Sequence, residues 1–162
     1  FDLLIRSVDL VKSKLPAGVE FHIYGDGPER ENLVELIKDH DLESVICLKG
    51  IRDGLEQIYC QYDIFILPSR LEGFPLVMIN SLACGLPCIA FNCPTGPGQI
   101  IESGVNGYLI ENGNIHDLAS AIIDIVNKED ISIYARGAID SAKSYNIQNI
   151  TDVWIEMISE VS

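Results

Sequence analysis

Basic residues are scarce in this sequence of 162 residues: Lys and Arg number 11, whereas Asp and Glu number 24. The formal net charge at pH 7 is −13. Binding to nucleic acid or to an anionic membrane surface depends on Lys and Arg beside phosphates, so neither partner is expected for this domain. A phosphate ligand remains compatible with the charge, provided that backbone amides and helix N-termini hold it.

Long apolar runs, signal sequences and metal-binding patterns are also missing. No apolar run approaches the roughly 18 residues that span a bilayer, and no signal peptide is visible. The five Cys are odd in number and include no C-x-x-C pair, and the three His are isolated. These absences argue against a disulfide framework and a zinc site. They predict a cytoplasmic domain without a metal or other cofactor.

What is present is the composition of one packed domain, with 48% hydrophobic and 22% charged residues. Apolar stretches recur about every twenty residues and predict strands at 19–24, 45–48, 63–67, 87–91 and 107–110. Helical periodicity predicts helices at 1–15, 29–40, 53–61, 75–84, 98–103, 115–127, 130–144 and 147–161. This alternation predicts an α/β fold: a Rossmann-like, doubly wound, mostly parallel sheet with helices on both faces.

The loops that follow the predicted strands hold most of the Gly and Pro. They are residues 25–28, 50–53, 68–75 and 92–98. In parallel α/β sheets such loops gather at the carboxyl edge, where ligands bind. The sequence therefore places the candidate site at this edge.

The segment from Ser69 to Pro75 is the most informative of these loops. Glu72 stands beside Gly73, directly before a predicted helix whose first amides and dipole suit a phosphate. Glu72 itself would repel a phosphate and should face hydroxyl donors, so a sugar joined to a diphosphate satisfies both demands. The alternative is that Glu72 caps the helix while Gly73 and Pro75 shape a turn.

Three further features each allow two interpretations. Asn80, in the predicted helix, could bind a ribose or contact a neighbouring loop. The loop from Cys93 to Ile101 could hold a diphosphate or act as a stiff connection. Gly25-Asp26-Gly27 resembles the start of a dinucleotide fingerprint, but Arg30 stands where the third Gly is expected, so it is weak evidence for NAD or FAD.

Taken together, these segments resemble the group 1, or family 4, retaining glycosyltransferases. The run from Pro68 to Ala90 is similar to the signature of that family. Three other segments follow its donor domain in the right order: Tyr24 to Glu29, Leu48 to Gly50, and Gly96 to Leu109. The resemblance covers residues 1–128. It implies one half of a GT-B fold: a single nucleotide-sugar-binding domain over 1–162, with C-terminal helices from about residue 130 and without the N-terminal acceptor domain.

The resemblance also implies the site. Glu72 would be the catalytic carboxylate near the sugar hydroxyls. The donor contacts would come from Gly25, Gly27, Ile51, Arg52, Ser69, Gly73, Phe74, Pro75, Leu76, Asn80, Gly96, Pro97 and Gly98. Ile51 and Arg52 would meet the base, and position 80 the ribose. Transfer in this family usually needs no metal, and none is expected here. The substrate would be a nucleotide-diphospho-sugar, with UDP as the expected nucleotide.

Three departures from the family pattern bear on function. Asn80 and Gln99 stand where the family has, or often has, Glu. The Arg and Lys that grip the diphosphate, which usually precede the first helix, are absent with the acceptor domain. The full-length protein is expected to be a hexosyltransferase in polysaccharide or other glycan synthesis, and the isolated chain to be inactive. A non-catalytic binding module and a GT-B-fold epimerase or phosphorylase are the alternatives.

The C-terminal segment has an apolar stripe of Ile150, Val153, Trp154, Met157, Ile158 and Val161. It would pack either on the missing acceptor domain or on this domain's own core. The missing domain could also bring the protein to the inner membrane surface.

Overall fold

The computed structural model describes the backbone of residues 1–161 and the side chains of residues 1–159. Within it, the strands are β1 (Phe21–Tyr24), β2 (Ile46–Gly50), β3 (Phe65–Leu67), β4 (Cys88–Asn92) and β5 (Gly107–Glu111). The helices are α1 (Asp2–Val11), α2 (Arg30–Asp39), α3 (Leu55–Tyr59), α4 (Leu76–Ala83), α5 (Pro97–Ile100), α6 (Ile115–Val126), α7 (Ser132–Lys143) and α8 (Ile147–Val161). Their order confirms the predicted alternation. Ser162 lies outside the described residues, so the predicted domain is described only to residue 161.

All strand pairs are parallel, as the apolar strand sequences predicted. The strands nevertheless form two hydrogen-bonded sheets, β1-β2 and β3-β4-β5, rather than one. Phe21 of β1 pairs with Ile46 of β2, and Phe65 of β3 pairs with Cys88 of β4, which pairs in turn with Gly107 of β5. Because the pairing is parallel, the strand-to-helix loops of each sheet lie at its carboxyl edge.

Two apolar clusters cover the two faces of the strands. The first joins both sheets under α1, α2 and α6; Ile5, Phe91 and Ile122 are among its fully buried members. The second lies on the opposite face, where Met78 and Leu82 of α4 meet Ala138 of α7. The amphipathic spacing of these helices therefore produces the predicted arrangement, with helices on both faces.

The helix boundaries differ from the sequence prediction at two functionally relevant places. The first helix, expected to reach residue 15, ends at Val11 and continues as a 3-10 turn over Lys12–Lys14. The fourth helix begins at Leu76, so Pro75 is its N-cap rather than its first helical residue. Proline has no backbone N–H and a restricted φ, so it can stand at either of these two positions at the start of a helix. A shift of one residue at a helix end costs little free energy.

The thiols offer a direct test of the second cluster. Cys88 in β4 is fully buried, and burial raises the pKa of its thiol to about 12. We expect Cys47 and Cys60, which are exposed, to react first with an aromatic disulfide reagent at pH 8, because the thiolate is the reactive form. Cys88 should react only on unfolding. Peptide mass spectrometry identifies the labelled positions, and labelling of Cys88 at the rate of Cys47 would contradict the packing of β4.

Candidate functional site

The segment between β3 and α4 is built to present Glu72. Leu67 and Pro68 are buried, which fixes the start of the loop, and α4 begins at Leu76 without a side-chain cap. Among the described residues the Glu72 carboxylate has no hydrogen-bond partner. The interpretation of Glu72 as a helix cap is therefore not what the structure shows. The carboxylate is half-buried and free to accept bonds from a ligand.

Backbone donors lie next to this carboxylate. The Leu76 amide donates to the Phe74 carbonyl at 3.0 Å, and the Met78 amide donates to the Pro75 carbonyl at 3.0 Å. The amides of Gly73 and Phe74 have no such partner within the described chain. An acceptor-only carboxylate beside unsatisfied N–H groups can bind a ligand with hydroxyls at one end and anionic oxygens at the other.

The loop after β4 holds this segment in place. The Thr95 hydroxyl donates to the Glu72 carbonyl. Gly96 adopts a positive φ of 90°, and a Cβ there would lie 2.6 Å from Pro75 Cδ and 3.2 Å from the Gly73 carbonyl oxygen. Gly96 and Pro97 are buried, whereas Gly98 is exposed. The loop therefore acts as a stiff support for the Glu72 segment, and only a residue without a Cβ permits the contact.

An ion pair ties the same loop to the first helix. Arg70 donates to the two Asp2 carboxylate oxygens at 3.0 and 2.6 Å. The hydrogen bond from Arg70 lowers the pKa of Asp2. The Asn112 side chain also donates to the Arg70 carbonyl at 3.1 Å. The sequence analysis missed these residues because no local pattern links positions that lie 68 and 42 residues apart.

Asn80 lies on an exposed position of α4. Its side chain has no hydrogen-bond partner among the described residues, so the alternative of a contact to a neighbouring loop is not observed. Only the stretch from Leu76 onward is helical, and the distance from Glu72 to Asn80 is therefore not set by a continuous helix. The side chain remains free for a ligand.

A second group of predicted residues lies at the carboxyl ends of β1 and β2. The Gly25 amide donates to the Gly50 carbonyl at 2.9 Å, which brings the two loops together. Gly25 and Gly27 are exposed, and so are Ile51 and Arg52. Gly25 has a φ of 122°, a conformation that favours glycine. Ile51 therefore presents an exposed apolar surface beside these two loops.

A cavity of about 800 Å³ lies beside β1 and β3. Tyr24, Ser69 and Glu72 are among its lining residues. Tyr62 contributes a hydroxyl bonded at 2.6 Å to both the Tyr24 hydroxyl and His22 Nδ1. Sequence analysis did not find this network, because Tyr62 belongs to no motif and reaches β1 only in the folded chain.

Neither a metal site nor a membrane span is found in the part of the chain that the structure describes. No group of three or more His, Cys, Asp or Glu side chains there is placed to hold an ion. None of the described helices is both long and apolar enough to cross a bilayer.

Parallel strands, helices on both faces and a glycine-rich carboxyl edge define a Rossmann-like α/β domain of the type that binds nucleotides. Comparison with protein families gives the particular family: the model of the glycosyl transferases group 1 matches residues 1–128. The chain belongs to this family of glycosyltransferases.

Individual relatives agree with this assignment. The poly(ribitol-phosphate) alpha-N-acetylglucosaminyltransferase of Staphylococcus aureus is 32% identical over 160 residues, which cover 98% of this chain and 32% of the relative. A crystal structure of an S. aureus TarM variant with fondaparinux, alpha-GlcNAc-glycerol and UDP has a TM-score of 0.88 and 33% identity, covering 96% of this chain and 32% of that one.

The pneumococcal O-GlcNAc transferase GtfA, in complex with UDP and GlcNAc, has a TM-score of 0.80 and 30% identity. That match covers 99% of this chain and 32% of GtfA. The chain thus spans about a third of the length of these three relatives. Its family is that of the group 1 glycosyltransferases, and its fold is the one these structures share over the matched part.

Proposed function

We propose that this chain is the donor-binding domain of a retaining GT-B glycosyltransferase and that it holds a nucleotide-diphospho-sugar, UDP-linked, at its carboxyl edge. Glu72 faces the sugar hydroxyls, and the amides of Gly73 and Phe74 take the diphosphate. The observation that carries the proposal is the unpartnered Glu72 carboxylate directly beside those amides. Within the described residues neither the carboxylate nor the two amides have a hydrogen-bond partner, and a sugar diphosphate supplies hydroxyl donors to the first and anionic oxygens to the second.

The nucleoside end is assigned to the second group of residues. Ile51 is 73% exposed directly after β2 and offers an apolar surface to a base, and Arg52 beside it offers donors. Asn80, whose side-chain amide has no hydrogen-bond partner among the described residues, is assigned to the ribose. The named relatives support the choice of UDP, since TarM and GtfA were crystallised with UDP. No metal or other cofactor is part of this proposal.

The acceptor side is assigned to a separate N-terminal domain of the same protein. On α8, Val153, Trp154 and Met157 are 52–60% exposed, so these three side chains are not buried in this domain's own core. The side chain of Val161, also assigned to the stripe, lies outside the described residues. An exposed apolar stripe of this kind marks a protein contact, and the acceptor domain is its proposed partner. Such an enzyme would act in the cytoplasm, and the acceptor domain would supply any contact with the inner membrane surface.

Calorimetric titration of the 162-residue chain tests the proposal. UDP, UDP-N-acetylglucosamine, GDP, ADP and NAD are titrated in parallel, because the relatives' names point to N-acetylglucosamine. We expect heat from one nucleoside diphosphate and its sugar conjugate, and none from NAD. Equal heats for every nucleotide would contradict a specific base site. Binding of NAD alone would show instead a dinucleotide-binding module.

Asn80→Glu is expected to strengthen binding of UDP about five- to tenfold, since a charged acceptor bonds a ribose hydroxyl more strongly than a neutral amide. Calorimetric titration with UDP measures the change in affinity. Inorganic pyrophosphate is titrated as the control ligand. Pyrophosphate has no ribose and should bind as before or slightly more weakly. If Asn80→Glu leaves UDP affinity unchanged, position 80 does not contact the ribose.

The isolated chain is expected to transfer no sugar, because the proposed acceptor half is absent from it. Radiolabelled UDP-N-acetylglucosamine is incubated with the chain and with candidate acceptors such as poly(ribitol phosphate). Neither labelled product nor free labelled sugar should accumulate above the rate without protein. Turnover by the chain alone would show that an acceptor site already exists within it.

A further inference from the structure

The thiols of Cys60 and Cys84 lie against the same backbone oxygen. Cys60 is the C-cap of α3 and Cys84 is the C-cap of α4, and these two helices pack against each other. Cys60 Sγ lies 3.9 Å from the Glu56 carbonyl oxygen, and Cys84 Sγ lies 3.9 Å from the same oxygen. The two thiols are also hydrogen-bonded to each other. They are therefore neighbours in the folded chain although they belong to different helices.

The other three cysteines lack such a neighbour. Cys88 and Cys93 are buried, and their thiols contact Ser81 and the Thr95 carbonyl. Cys47 is exposed in β2, and within the described residues no contact joins it to another thiol. Among the described cysteines, only Cys60 and Cys84 thus combine a thiol neighbour with access to solvent.

The two thiols of the pair differ in their surroundings. Cys60 is exposed, whereas Cys84 is only partly exposed. Burial raises the pKa of the Cys84 thiol, and the hydrogen bond with Cys60 raises it further. Because attack on a disulfide requires an accessible thiolate, Cys60 is the thiol that reacts first with a reagent in solution. Cys84 is then placed to react with whatever is attached to Cys60.

The pair lies at the edge of the domain away from the candidate site. α3 leads into β3 and α4 leads into β4, so the ends of both helices lie at the amino edge of the strands. The chain between Cys60 and Cys84 contains β3, the segment with Glu72, and α4. A covalent bond between the two thiols would join the ends of this segment without entering the carboxyl edge.

We propose that Cys60 and Cys84 form a reversible intramolecular disulfide by exchange with a low-molecular-weight disulfide of the glutathione type. The Cys60 thiolate attacks one sulfur of the reagent, which forms a mixed disulfide and releases one thiolate. Cys84 loses its proton to solvent and attacks Cys60 Sγ, so the mixed S–S bond breaks and the second thiolate leaves. Two protein thiols are oxidised to one disulfide, and the reagent is reduced to two thiols, which take up the two protons.

A disulfide of this kind is a modification that responds to oxidant. In a reducing compartment the pair stays as thiols, and excess of the disulfide reagent over its thiol drives the exchange towards the bond. Both cysteines stand at helix ends, where a small change of backbone costs little. The inference does not depend on which ligand the carboxyl edge binds.

Glutathione disulfide added to the folded 162-residue chain at pH 8 gives the first test. Samples are quenched with acid over time and mapped by peptide mass spectrometry. The adduct on Cys60 should disappear about tenfold or more faster than that on Cys47, because a neighbouring thiol of the same chain has an effective concentration of about millimolar or above. A cross-linked peptide pair of Cys60 and Cys84 should replace it. Stable adducts on Cys60 and Cys47 alike would overturn the proposal.

Two serine variants identify the second thiol. Cys84→Ser should retain the adduct on Cys60 for as long as Cys47 retains its own, since no thiol remains beside Cys60. Cys47→Ser is the matched control and should form the cross-link at the rate of the unaltered chain. If the Cys84→Ser variant loses the Cys60 adduct as fast as the unaltered chain does, another thiol displaces it and the assignment of Cys84 is wrong.

Urea unfolding of the oxidised and reduced chain tests whether the folded structure accommodates the bond. The form with the disulfide should unfold at a higher urea concentration, because a closed covalent loop restricts the unfolded chain. Excess dithiothreitol should return the midpoint to its original value, and Cys84→Ser treated with glutathione disulfide should show no rise. A midpoint lowered by the disulfide would show that the bond distorts the native helix ends, and this would contradict the proposed site.

Discussion

Gly107→Ala is expected to lower the free energy of unfolding by about 3 kcal/mol or more, which makes it the most destabilising single change that we predict. A Cβ at this position would lie 1.8 Å from the Cys88 carbonyl oxygen and 2.7 Å from the Cys88 carbonyl carbon. Cys88 belongs to the central strand of its sheet and is fully buried, so β4 cannot move aside. Overpacking and an unfavourable φ each cost about 1–3 kcal/mol.

Gly104→Ala is the matched control for this experiment. Gly104 also has a positive φ, 86°, but nothing lies within 4 Å of a Cβ built there. The Gly104→Ala substitution therefore forces a Cβ into an unfavourable φ without a steric clash. We expect it to lower the free energy of unfolding by about 1 kcal/mol. Urea unfolding of both variants measures the difference. A Gly107→Ala variant as stable as Gly104→Ala would show that β4 and β5 are not packed as the structure has them.

Glu72→Gln is expected to weaken binding of UDP-N-acetylglucosamine tenfold or more while the affinity for UDP changes less than twofold. The carboxylate is assigned to the sugar hydroxyls, and a hydrogen bond to a charged group contributes about 1.5–3 kcal/mol, or roughly a factor of 10 to 150 in affinity. UDP lacks the sugar and should not sense the substitution. Calorimetric titration of both ligands into both proteins gives the comparison.

Glu43→Gln controls for the change in net charge. Glu43 is exposed in the turn before β2, at the edge opposite the candidate site. The Glu43→Gln substitution removes the same unit of charge as Glu72→Gln. The affinities of the Glu43→Gln variant for UDP and UDP-N-acetylglucosamine should match those of the unaltered chain. If Glu72→Gln weakens UDP and its sugar conjugate equally, Glu72 acts on the nucleotide or on the loop itself, and its assignment to the sugar fails.

The sequence predicted the local arrangement of the candidate site within one segment. Glu72, Gly73 and the start of α4 are adjacent in the chain, so their residue types alone indicated a carboxylate beside free amides. The hydrogen bonds and the ion pair that hold this segment in place could not be predicted in the same way. Thr95 reaches the Glu72 carbonyl from the loop after β4, and Arg70 reaches Asp2 at the start of the chain. Such pairs depend on the folded path between distant segments.

By itself, the sequence determined the order of strands and helices, the parallel sheet and the edge at which the loops gather, because apolar periodicity and turn residues are local properties. Only the tertiary structure decided that Gly96 brings two loops into contact, that Glu72 does not cap α4, and that β1 and β3 stand apart. These features depend on which backbone segments pack against each other in the folded chain. Distances between atoms remote in sequence are set by the packing of the whole domain, and no periodicity in the residues encodes them.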